Sequence, residues 1–195
     1  MTRVVGLFTS YQYLGHILSQ EAVGYLVIAY PQLAPEDFKK IQIYRERHDL
    51  LFNVVDPHFT IVFPVQDLPP DDFTAEIKHH AKNIAAFEFA IRCATINKDA
   101  FNKLFHVFLV PDEGNSRVVR LHDRLYSGNL KAYHRLDLDY IPHITIGNCR
   151  DKHQCKRMVD EWNKDEFLIR GTIEALTVVK YDEGVVTKLT SIQLQ

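Results

Sequence analysis

Of the 195 residues, 46% are hydrophobic and 25% charged, an ordinary globular composition long enough for one substantial core or two small lobes. A net charge of −2 excludes the broad basic field that grips a long duplex, and leaves a small nucleotide or a short RNA end as the fitting partner. Three cysteines, Cys93, Cys149 and Cys155, with no Cys-x-x-Cys pair, argue against a disulfide framework or zinc knuckle and for a reducing, cytoplasmic compartment; no run approaches the ~18 apolar residues of a membrane span.

Residues 1–21 are expected to be an N-terminal extension. Its apolar stretch is broken by Thr9, Ser10, Gln12 and His16, a poor signal peptide. Tyr11, Tyr13, Leu14 and Ile17 suit a docked arm as well as a partly disordered tail. Residues 22–195 are expected to form a single domain. Gly24 to Tyr30 predicts a buried strand ended by Pro31. Pro35-Glu36-Asp37 opens a helix running to about Leu50. Asp56-Pro57 leads into a strand, Pro69-Pro70-Asp71 opens a second helix with Phe73, Ile77, Ala81 and Ile84 at helical spacing, and Phe87 to Ile96 predicts a strand. The pattern then begins again. Leu104 to Val110 is a strand ended by Pro111, and a helix follows from Ser116 to Tyr126, with Val118, Leu121, His122 and Leu125 on one face and Gly128-Asn129 at its end. A short segment, Leu130 to Asp139, precedes another strand. Cys155, Met158, Val159 and Trp162 mark a fourth helix. Phe167 to Tyr181 and Val185 to Leu194 predict strands joined at Asp182-Glu183-Gly184.

One five-residue pattern occurs in both halves: Pro57-His58-Phe59-Thr60-Ile61 and Pro142-His143-Ile144-Thr145-Ile146. A repeated motif at equivalent places in a repeated element order is worth more than either copy alone. Side chains alternate on a strand, so His58 and Thr60 share one face and Phe59, Ile61 and Phe63 the other; His143 and Thr145 likewise oppose Ile144 and Ile146. Two such strands face to face gather two imidazoles and two hydroxyls. Imidazoles divide acid and base roles near neutral pH, and hydroxyls donate to phosphoryl oxygens. That set opens or closes a phosphodiester without a metal.

The paired motif resembles the two-histidine phosphoesterases, the superfamily of the RNA 2′,3′-cyclic phosphodiesterases and the 2′-5′ RNA ligase-like proteins. Their His-x-Thr/Ser-x pattern is filled here by His58-Phe59-Thr60-Ile61 and His143-Ile144-Thr145-Ile146. The resemblance runs from about residue 22 onward. It implies an α+β, bilobal fold, with two pseudo-twofold-related lobes of antiparallel sheet, helices outside and a central cleft; the repeat suggests lobe halves at about 22–97 and 104–195. It implies His58 and His143 as catalytic residues, Thr60 and Thr145 as phosphate-binding residues, and no cofactor or metal. The expected chemistry is hydrolysis of a 2′,3′-cyclic phosphate, with reverse 2′-5′ ligation by the same groups, in a monomer. The alternatives are the same chemistry on 2′-5′ oligonucleotides, an ADP-ribose cyclic phosphate or RNA 3′ tails, and a nucleotide-binding module without turnover.

Other side chains weigh less. Tyr140, three residues before His143, suits a base-stacking platform or the packing of the chain as it enters the second motif strand. His106 is expected in the core or the cleft wall. His79, His80 and His122 are expected at the surface or its boundary. His153 and Cys155 are half of a metal site with no second pair. Arg117, Arg120 and Arg124 form a stripe, either a solvated face or contacts to RNA phosphates.

Overall fold

The computed structural model describes residues 23–100 and 103–195, so the expectation for residues 1–21 lies outside the described residues. In chain order the elements are β1 (Gly24–Ala29), β2 (Gln32–Leu33), α1 (Pro35–His48), β3 (Phe59–Val65), α2 (Pro70–Ala81), β4 (Phe87–Lys98), β5 (Phe105–Glu113), α3 (Asn115–Leu125), a 3-10 turn (Gly128–Tyr133), β6 (Ile144–Cys149), α4 (Lys152–Trp162), β7 (Ile169–Ile173), β8 (Ala175–Asp182) and β9 (Val185–Gln193). The helices start where the sequence marks them. Pro35 and Pro70 sit in first turns with Glu36, Asp37, Asp71 and Asp72, and Arg45, Arg47 and His48 close α1, each complementing the helix dipole.

Two antiparallel sheets result. One has the order β3-β1-β8-β9, the other β2-β7-β4-β5-β6. The expected α+β bilobal architecture is present. The expected lobe boundaries are not, because the sheets draw on both halves of the chain. β1 and β3 are completed by β8 from the C-terminal end, and β5 and β6 by β4 from the N-terminal half. Helices cross as well: α1, which connects β1 to β3, packs on β6, while α3, which connects β5 to β6, packs on β3. Each motif strand is therefore backed by a helix from the other half.

Three strand expectations are corrected. Phe167–Tyr181 is not one strand but β7 and β8, split at Glu174 and placed in different sheets. β5 does not end at Pro111 but runs to Glu113. Proline is tolerated because it pairs with Ile91 between two register irregularities, where the ladder is already broken. β4 continues past Ile96 to Lys98.

The core lies between and behind the sheets. Phe59 of β3 meets Phe89 of β4 edge to face, ring centroids 5.1 Å apart. Phe59, Ile61, Ile144 and Ile146 are all fully buried, each contributing about 1.5–3 kcal/mol of hydrophobic stabilisation. Their alternation leaves His58, Thr60, His143 and Thr145 half-buried on the opposite face. Gly147 lets two helices close on β6, since a Cβ there would lie 2.4 Å from Met158 Cε of α4 and 3.0 Å from His48 Cβ of α1. No helix among the described residues is long and apolar enough to cross a membrane.

Candidate active site

β3 and β6 are edge strands of their sheets, and each motif histidine immediately precedes its strand. His58, Thr60, His143 and Thr145 all line one cavity of about 810 Å³. The two rings are held alike. His58 Nδ1–H donates to the Asp56 carbonyl at 2.8 Å, and His143 Nδ1–H to the Ile141 carbonyl at 2.5 Å. A carbonyl only accepts, so in both rings Nδ1 carries the proton and Nε2 is the free nitrogen.

Their fields differ. Burial pushes the His143 pKa down to about 4, and the His58 and His106 imidazoles add to the depression. Burial and the Arg45 guanidinium also lower the pKa of His58, but the Asp56 carbonyl and the Asp49 and Asp56 carboxylates oppose them. His143 lies flat on Phe108, centroids 3.5 Å apart, and Phe108 in turn stacks on His106 at 5.6 Å. His106 is a cleft-wall residue, as the sequence suggests, with Nε2 2.9 Å from Asp99 Oδ2.

Beneath the cleft lies a polar knot that the sequence analysis does not single out. Arg45, 1% exposed, bonds Asp49 at 2.8 Å, Gln42 at 2.8 Å and the Val55 carbonyl at 2.7 Å. Asp49 accepts from Leu51 N at 3.0 Å and from Asn148 Nδ2 at 3.2 Å. The knot thereby joins α1, the segment leading into His58, and β6. Arg45 in the last turn of α1 and Asp49, the residue that caps the helix, stand four residues apart, a spacing the sequence displays without showing that it faces inward.

Side chains also cover the free edge of β3. Tyr140 Oη donates to the Thr60 carbonyl at 2.9 Å, His122 Nδ1–H to the Ile61 carbonyl at 2.7 Å, and Phe63 N–H to Tyr126 Oη at 2.8 Å. Tyr140 lines the cavity, but His122 stacks on one of its ring faces at 3.5 Å and its hydroxyl is committed to the motif strand. Its position is that of a brace on Thr60. His122 is not a surface group. It is 2% exposed, because it lies on the apolar face of α3 beside Val118, Leu121 and Leu125.

The other candidates lie elsewhere. Arg124 donates to the His80 and Lys82 carbonyls, tying α3 to the end of α2, and Arg117 lies over the Phe87 ring at 5.7 Å. None of Arg117, Arg120 and Arg124 lines the cavity. His80 pairs with Glu76 at 3.2 Å. Cys155 is buried under α4, while His153 is exposed.

Comparison with known proteins agrees with this architecture. The sequence profile of the 2′-5′ RNA ligase superfamily matches residues 30–185. A provisionally named phosphoesterase of Geobacillus sp. (strain WCH70) is 30% identical over 63% of this chain and 68% of its own length. A second, from Geobacillus thermodenitrificans, is 25% identical over 63% of this chain and 68% of its own length. Among solved structures, E. coli LigT complexed with 3′-AMP superposes with a TM-score of 0.55 over 90% of this chain and 99% of that one, at 14% identity. Kluyveromyces marxianus Usb1 with uridine monophosphate does so with a TM-score of 0.51 over 89% and 99%, at 8% identity.

Proposed function

The chain belongs to the 2′-5′ RNA ligase superfamily, and from that premise we propose that it is a phosphodiesterase opening 2′,3′-cyclic phosphates on RNA-type ends by metal-independent acid–base catalysis. The observation that carries this reading is the matched pair of rings, each held through Nδ1 with Nε2 left over, in the wall of one cavity.

In this mechanism His143 is the base. With its pKa held down to about 4 it is neutral at pH 7, and Nε2 takes a proton from water as the oxygen attacks phosphorus. His58 is the acid. The carboxylates of Asp49 and Asp56 oppose the burial and the Arg45 guanidinium that together disfavour its charged form, and a bound phosphate anion favours that form. It gives its Nε2 proton to the departing ribose oxygen as the phosphorus–oxygen bond breaks. Thr60 and Thr145 donate hydrogen bonds to the non-bridging oxygens as negative charge builds. The ligation direction uses the same groups with roles exchanged.

A cavity of about 810 Å³ suits a single nucleotide end. The structures of LigT with 3′-AMP and Usb1 with uridine monophosphate support a ligand of that size. The test is turnover of the four 2′,3′-cyclic mononucleotides by tag-free protein in excess chelator, beside binding of mononucleotides. Turnover of at least one, undiminished by chelator, is expected. Binding without turnover would favour a nucleotide-binding module, and turnover lost in chelator and restored by a divalent ion would remove the metal-independent mechanism.

A further inference from the structure

Behind β3, on the side of α3, three side chains converge that the proposed chemistry does not use. His122, Asp123 and His134 each bring one ligand atom within 4.8 Å of the other two. Three points so spaced lie at most about 2.8 Å from a common centre, against zinc bonds of roughly 2.0–2.2 Å to imidazole nitrogen and carboxylate oxygen. An inward shift of under ~1 Å per ligand closes the site, within the rotamer freedom of an exposed aspartate and of a histidine outside regular structure.

His122 is already oriented as a ligand. Its Nδ1–H is fixed on the Ile61 carbonyl at 2.7 Å, which leaves the Nε2 lone pair free. Metal-bound histidines show this same outer hydrogen bond to a carbonyl. Tyr140 stacked on its face stops the ring from turning. His134 lies flat on Tyr126, centroids 4.5 Å apart, with its plane at 69° to the His122 ring. Among the described residues no hydrogen bond or ion pair engages His122 Nε2, the His134 ring nitrogens or the Asp123 carboxylate. Three ligand atoms that no other described residue engages, one of them preset by its outer contact, make a coordination site.

We propose that His122, His134 and Asp123 bind one zinc ion, with water completing a tetrahedron. Two imidazoles and one carboxylate suit zinc, whereas magnesium and calcium take oxygen sets. The ion takes no part in the phosphodiester step. It fixes His122, and through it the Ile61 carbonyl of the first motif strand, and it touches the cleft wall through His134.

The test titrates the tag-free full-length chain with zinc by calorimetry and with cobalt(II) by visible absorption. One ion per chain, a tetrahedral cobalt spectrum and a zinc-dependent rise in Tm are expected. Asp123→Asn should weaken binding at least about tenfold and His134→Phe, which keeps a ring against Tyr126, at least about a hundredfold, since loss of a direct ligand costs no less than the roughly 10–100-fold of losing an outer partner. The His58→Ala, His143→Ala double variant should bind zinc as the unaltered chain does. No saturable uptake, or uptake insensitive to His134→Phe, overturns the proposal. So does uptake abolished in the double variant, which would put the ion in the catalytic cleft instead.

Discussion

His58 and His143 share a local geometry but not an electrostatic environment, and in the proposed mechanism that difference assigns the base and the acid. His58→Ala and His143→Ala should each remove nearly all single-turnover hydrolysis of a 2′,3′-cyclic nucleotide. The double variant should be little worse, because groups that act as a unit are non-additive. Thr60→Ala or Thr145→Ala should cost roughly 10²-fold, the scale of one transition-state donor. Near-unaltered rates in either histidine variant would end the two-histidine mechanism. The pH profile follows from the shifts. Burial lowers the pKa of His58 below its ordinary 6.5, so its acid form is present at low pH and lost as pH rises through that depressed value. The alkaline limb of kcat/KM, which reports the free protein, should therefore fall below pH 6.5. The alkaline limb of kcat should lie higher, because bound phosphate favours the imidazolium. A kcat/KM still rising between pH 7 and 8 would contradict this assignment. These residues were legible in the sequence because alternation on a strand decides which side chains share a face: Phe59 and Ile61 are buried while His58 and Thr60 line the cleft, whereas Phe63, expected on the buried face, also lines the cleft because the β1–β3 register is irregular there. His122 was misplaced for the opposite reason. Helical spacing put it on an apolar face, but only the packing of α3 on β3 shows that this face is sealed.

Among the elements, α1 with its cap contributes a buried ion pair. Its Arg45 is a buried cation whose donors are spent on Asp49, Gln42 and backbone carbonyls. Removing one partner of such a pair strands the other charge, so Arg45→Met should cost about 3–5 kcal/mol in urea unfolding. Arg45→Met with Asp49→Leu should recover much of that loss, since the uncompensated charge is gone. A single-variant cost below ~1 kcal/mol would show that the knot is not a closed pair. Helix starts were legible because Pro35, Pro70 and the acids after them mark first turns chemically. The break at Glu174 was not. Phe167 to Tyr181 is rich in strand formers, and its one glycine, Gly171, lies inside β7 rather than at Glu174, where the chain leaves one sheet for the other. Pro111 misled in the other direction, because a proline ends a regular strand but not one already irregular at that point.

For the molecule as a whole, the duplication is visible in element order, and the exchange is not, because strand partners distant in sequence leave no periodic trace. β4 joins β5 and β8 joins β1, so neither half contains a complete sheet. Separately produced segments 23–100 and 103–195 should each lack a cooperative unfolding transition by calorimetry and regain one when mixed. A cooperative transition in either segment alone would show that a half is self-sufficient. The pairing of β1 (Gly24–Ala29) with β8 (Ala175–Asp182) also bears on how the chain is made. A nascent chain presents β1 and β3 early, and β1 keeps an unpaired flank until β8, far downstream in the sequence, has been made. Pairing so distant in sequence is slow to form, and an open apolar strand invites association with other chains. The interval between the making of β1 and the making of β8 is therefore when the chain is most open to association, and β1 is the strand at risk.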